Sequence, residues 1–99
     1  MDAMAVGWVR IEIVLPEAGS LKDRRQVVRS IKDRLRRQFN VSVAELDEDR
    51  DLWQRATLGI AAVNGDTGYL LGQLEQAAAA AERMLAGQDV RRGQAEILI

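Results

Sequence analysis

Ala5-Val6-Gly7-Trp8-Val9-Arg10-Ile11-Glu12-Ile13-Val14-Leu15 is the stretch that decides the fold. Val9, Ile11, Ile13 and Leu15 fall on one side of an extended backbone, with Trp8, Arg10 and Glu12 on the other. A period of two rich in β-branched residues marks a strand with one covered face. Pro16 ends it, Glu17-Ala18-Gly19 turns the chain, and Ser20 follows as a helix N-cap with Asp23 three residues on, a variant of the capping box. A helix is expected to about Gln38, because Leu21, Val28, Ile31, Leu35 and Phe39 recur at spacings of 7, 3, 4 and 4 and so share one stripe.

Beyond Asn40, Val41 to Leu46 alternates as a second strand, Asp47 to Gln54 is a charged connection containing Trp53, and Arg55 to Val63 reads as a third strand. Asn64-Gly65-Asp66 is a turn that leads to Asp66 or Thr67 as the next N-cap. The second helix, built on Leu70, Leu74, Ala77, Ala81 and Leu85, is expected to reach about Ala86 and stop at Gly87. A polar link then leads to a last strand near Gln94 to Ile99, with Ala95, Ile97 and Ile99 on one face. The order β-α-β-β-α-β, with right-handed crossovers and pairing of neighbouring strands, predicts an α+β, ferredoxin-like sandwich as a single domain over 1–99. Four antiparallel strands would carry both helices on one face. The other face would be bare, presenting Trp8, Arg10, Glu12, Ala44, Leu46, Thr57, Gly59, Ala61, Glu96 and Leu98.

Composition narrows the function classes. The 99 residues include neither histidine nor cysteine, which excludes a Ser-His-Asp triad, a cysteine nucleophile, disulfides and the usual zinc, iron–sulfur and haem ligand sets. No catalytic motif, Walker-type loop or Gly-x-Gly-x-x-Gly is present, so a non-enzymatic protein without cofactor is expected. Asp47-x-Asp49-x-Asp51 imitates the start of a calcium loop, but Leu52 and Leu58 stand where Gly and Glu are needed, and no metal is expected. No apolar run is long enough for a membrane span, and a cytoplasmic location is the default expectation.

The net charge of −1 conceals two opposite segments. Between Lys22 and Arg37 eight cations face only Asp23 and Asp33, a net of +6, whereas Glu45 to Asp51 carries −4. At about 100° per residue Lys22, Arg25, Arg29, Lys32 and Arg36 fall within an arc of about 80°, centred about 90° from the apolar stripe. Such a flank, about 20 Å long, suits a phosphate backbone read by bidentate guanidinium groups, and a solvated helix face is the plain alternative. The acidic segment would pair with this helix, within the chain or between chains. Trp8 beside Arg10 supplies only half of an aromatic base-stacking platform, since the third strand has Thr57, Gly59 and Ala61. Among small residues it is better suited to anchoring self-association or a protein partner.

Ser20-Leu21-Lys22-Asp23-Arg24-Arg25, Asn40-Val41-Ser42-Val43-Ala44-Glu45 and Asp51-Leu52-Trp53-Gln54-Arg55-Ala56-Thr57-Leu58-Gly59, in that order, resemble the YlxP family of small bacterial proteins, a domain of unknown function. The resemblance covers roughly Val6 to Ala86. It departs conservatively at Asp23 and Arg24, where the family more often has Lys-Glu-Lys-Arg after Ser-Leu. It implies a ferredoxin-like fold, and genes that often neighbour those of translation initiation factor two and ribosome-binding factor A imply a ribosome- or RNA-linked role by association. No catalytic residue is carried over. The motifs also draw attention to Trp53, Gln54 and Arg55, with Trp53 either plugging the end of the core or capping a ligand groove with its two neighbours. The leading expectation is an RNA- or ribosome-associated binding protein acting through Lys22, Arg25, Arg29, Lys32 and Arg36. The alternative is a homo-oligomeric interaction module using Trp8, Arg10 and the open sheet.

Overall fold

Alternation over the opening stretch becomes strand β1, Ala5–Val14, whose even burial pattern runs on to Leu15: Ala5, Gly7, Val9, Ile11, Ile13 and Leu15 are buried, and the residues between them are not. The computed structural model describes residues 3–15, 19–46 and 54–99. After β1 come α1 (Leu21–Gln38), β2 (Ser42–Glu45), β3 (Arg55–Asn64), α2 (Thr67–Met84), β4 (Asp89–Arg92) and β5 (Glu96–Ile97). The sheet order is β2-β3-β1-β4, with β5 also on β1 and every pairing antiparallel. That is the ferredoxin-like arrangement expected from the element order. Trp53, the acidic residues 47–51 and the turn at 16–18 lie outside the described residues.

Local chemistry accounts for the helix ends. The Ser20 hydroxyl accepts from the Asp23 N–H at 3.2 Å, and Asp23 in turn accepts from the Gly19 N–H at 3.0 Å, so the cap is reciprocal but reaches one residue further back than the standard box. Asp66, rather than Thr67, caps α2 by accepting from the Tyr69 N–H at 2.9 Å. Gly87, with φ of +94°, supplies the left-handed residue that turns the chain out of α2 toward β4. The core between the sheet and the helices is built from Val9, Ile11, Ile13 and Leu15, from Leu58 and Ile60, and from Val28, Ile31, Leu35, Leu70, Leu74 and Leu85.

Three expectations are corrected. The apolar stripe of α1 does not begin at Leu21, which is 38% exposed; Arg24 occupies the core-facing position instead, at 3%. The last strand is not one segment over 94–99: part of the preceding polar link is itself strand β4, and β5 resumes on β1 after an interruption. The register explains the break, because Ile11 faces Arg92 while Gly7 faces Ile97, so one extra residue is accommodated between them as in a β-bulge. The Gly93 N–H donates to the Arg10 carbonyl at 2.8 Å within this interruption. Finally, the helix-free face of the sheet is not uniformly bare. Thr57 is fully buried there, and Leu46 folds over Gly59, 3.5 Å from where a Cβ would stand. Trp8, Glu12, Gly59 and Ala61 are half-buried, while Arg10, Ala44, Glu96 and Leu98 are exposed.

Candidate nucleic-acid interface

The flank of α1 that carries its cations faces the outer edge of β2. Leu46 donates its N–H to the Thr57 carbonyl, so by the alternation of an antiparallel ladder the polar backbone groups of Val43 and Glu45 point away from β3, toward that edge. Arg36 covers part of the edge, its guanidinium donating to the Val43 carbonyl at 2.7 Å. Between helix and edge runs a groove of about 220 Å³, lined by Arg25, Arg29, Lys32 and Arg36 together with Asp33 and Glu45. Four of the five cations expected to act together are thus gathered at one groove. Lys22, exposed on the first turn, is outside it.

Charge in this groove is settled by which acids are already engaged. Asp33 lies 3.9 Å from Arg36 with both side chains about half exposed, an ordinary surface pair of small energy. Glu45 is held from the core side: Arg24 makes an ion pair with it and donates through Nε to the Arg55 carbonyl at 2.7 Å. The expected pairing of basic helix and acidic segment therefore occurs within the chain at Glu45. Arg25, Arg29 and Lys32 make no ion pair or side-chain hydrogen bond among the described residues.

Arg24 is the residue that the stripe analysis overlooked. Its signal was present: Leu21, Arg24, Val28, Ile31 and Leu35 follow a 3-4-3-4 spacing, which sets Arg24 squarely on the buried line. A cation on that line requires a carboxylate or carbonyl opposite it, and the second strand offers Glu45.

On the sheet face, Trp8 stands opposite Ala61 and Glu96 in the register. Its indole Nε1 is buried and has no hydrogen-bond partner among the described residues. Val63 and Leu98, on the same face by alternation, are 55% and 59% exposed. Arg10 is exposed nearby. Of the proposed groove at the third strand, Gln54 is exposed and accepts at its carbonyl from the Leu15 N–H at 2.7 Å. Arg55 pairs with Glu12 at 3.4 Å, and Trp53 is outside the described residues. Among the described residues there is no cluster of three or more His, Cys, Asp or Glu able to hold a metal, and no helix long and apolar enough to cross a membrane.

Comparison with known structures gives the fold independently. The chain is similar to a C-terminal segment of the alpha subunit of aIF2 from Pyrococcus abyssi, with TM-score 0.59 and 18% identity over 93% of this chain and 51% of that one. It is also similar to the de novo designed protein Foldit4, with TM-score 0.53 and 14% identity over 94% and 96% of the two chains. Identities this low carry the fold alone. In sequence, it is 42% identical over 59 residues to the uncharacterized protein YlxP of Bacillus subtilis (strain 168), which is 60% of this chain and 63% of that relative's length. The model of the family described as "Protein of unknown function (DUF503)" matches residues 6–91, nearly the whole chain, and the protein belongs to that family.

Proposed function

We propose that this chain is a non-enzymatic, cytoplasmic binding protein for structured RNA, which it grips through backbone phosphates along the α1–β2 groove. Ribosomal RNA is the form that the family's gene neighbourhood favours. One observation carries the proposal: Arg25, Arg29 and Lys32 line a single groove and make no ion pair among the described residues, while Glu45, in the same lining, is occupied by Arg24. Guanidinium groups there would donate pairwise to phosphate oxygens, and contacts of this kind position a nucleic acid without reading its sequence. Three or four phosphate contacts correspond to a slope of log K against log salt of roughly −2 to −4. The test is a stem-loop RNA titrated over a salt series against the wild type and the Arg25→Glu, Arg29→Glu double variant. Arg36 is avoided because it also holds the Val43 carbonyl. Affinity and slope should both fall in the variant; binding that ignores salt and these substitutions refutes the proposal.

A second reading, self-association through the sheet face, is supported by exposed Val63 and Leu98 on the same face as the half-buried Trp8 ring. Light scattering after size-exclusion chromatography should then give a dimer or larger species that Trp8→Ala returns to monomer. A wild type that stays monomeric at high concentration refutes it.

A further inference from the structure

The other side of α1 meets α2 across a second groove, which neither the phosphate-binding proposal nor the sheet face uses. Tyr69, Gly72, Gln73 and Gln76 follow one another at 3, 1 and 3 residues, so they share one face of α2, and Gln38 and Phe39 face them from the end of α1. The space between is about 400 Å³, within the range of small-molecule sites. Gln73 Nε2 donates to the Asn40 carbonyl at 3.1 Å and ties α2 to the segment that follows α1.

Three features of the lining are chemically specific. Although 29% of the chain is charged, no residue lining this groove is. Gln38 and Gln76 make no side-chain hydrogen bond among the described residues, so their amides offer donors and acceptors together. Tyr69 is 66% exposed, a large aromatic surface beside those amides. Gly72 adds an independent observation. It lies in the interior of α2, where glycine is the poorest helix former after proline, and a Cβ at this position would meet nothing within 4 Å. Packing within the chain does not need the glycine. What it preserves is open space in the groove.

We infer that the α1–α2 groove binds a nucleobase, free or carried on a single strand. A flat, uncharged ring with donors and acceptors at its edge stacks on tyrosine and pairs with carboxamides, the combination by which side chains recognise bases. The site is separate from the phosphate groove and is tested without it.

The experiment is an NMR titration of the ¹⁵N-labelled full chain with adenosine, uridine, ribose 5-phosphate and methyl glucoside, following the side-chain amides of Gln38, Gln73 and Gln76. At least one nucleoside should shift these signals, independently of salt and of the Arg25→Glu, Arg29→Glu variant, while ribose 5-phosphate and the glucoside should not. Tyr69→Ala, at an exposed position, should weaken binding about tenfold by loss of the stacked ring. Gly72→Leu should do the same by filling the floor, yet raise the melting temperature by roughly 4–8 °C because leucine suits a helix interior. An oligonucleotide of the preferred base that binds more tightly than the nucleoside assigns the base to a single strand; equal affinity assigns it to a free nucleoside. No shift with either nucleoside, an equal shift with the glucoside, or titrations unchanged in both variants overturns the inference.

Discussion

Replacing Arg24 tests how the helix and the sheet are joined. Arg24 is 3% exposed, and its guanidinium pairs with a Glu45 side chain that is 28% exposed, and donates to the Arg55 carbonyl at the start of β3. Arg24→Ala would leave that partly buried carbonyl without its donor, at about 1–2 kcal/mol, and would also remove the packed aliphatic stem. The released carboxylate is partly in water, so its penalty is well below the ~3–5 kcal/mol of a fully buried charge that loses its partner. A loss of about 2–4 kcal/mol follows for Arg24→Ala, and about 1–2 kcal/mol for Arg24→Met, which keeps the stem. Urea denaturation with constant m is the assay, and about 1 kcal/mol corresponds to a shift of roughly 4–8 °C in Tm for a domain of this size. The loss should change little with added salt, since buried pairs are poorly screened. A cost below about 0.5 kcal/mol for both variants, or one that disappears in high salt, would show that Arg24 behaves as a surface residue.

Two further perturbations test the fold. Gly7→Ala would set a Cβ 2.9 Å from the Glu96 carbonyl and 3.0 Å from the Leu74 side chain, so β5 must shift away from β1. Chemical denaturation should report a loss of about 1–3 kcal/mol, with faster exchange of the Leu98 amide that donates to the Val6 carbonyl. Asp66→Ala removes the acceptor of the Tyr69 N–H and should cost about 1 kcal/mol, with Asp66→Asn retaining most of it by thermal melting.

The parts of the structure legible in the sequence are those governed by periodicity and caps. Val9, Ile11, Ile13 and Leu15 could serve only a half-covered strand, and Ser20 and Asp66 announce their helices because orphan N–H groups need acceptors at those places. The interruption after Arg92 was not legible. It depends on how β1 pairs with the returning chain, a long-range register that composition near Gly93 does not encode. Thr57 is placed on the open face by alternation, and it is fully buried on that face, where Leu46 folds over Gly59. The cationic flank was legible as an arc on α1. That Arg36 would be spent internally was not, because its guanidinium meets the Val43 carbonyl only after β2 has docked.

That internal use of charge links stability to binding. Glu45 lines the α1–β2 groove beside Arg25, Arg29, Lys32 and Arg36, and Arg24 offsets its charge from the core side. In Arg24→Met the groove cations remain, but the freed carboxylate is left to pair with them. On the proposed function, RNA affinity should therefore fall although none of the groove cations has changed, and the salt slope should lessen by about 0.7–0.9, the equivalent of one phosphate contact. Adding Glu45→Gln to Arg24→Met should restore both, since an amide holds no cation. If the double variant binds RNA no better than Arg24→Met alone, the loss comes from disturbed packing of α1 on the sheet and not from the released charge.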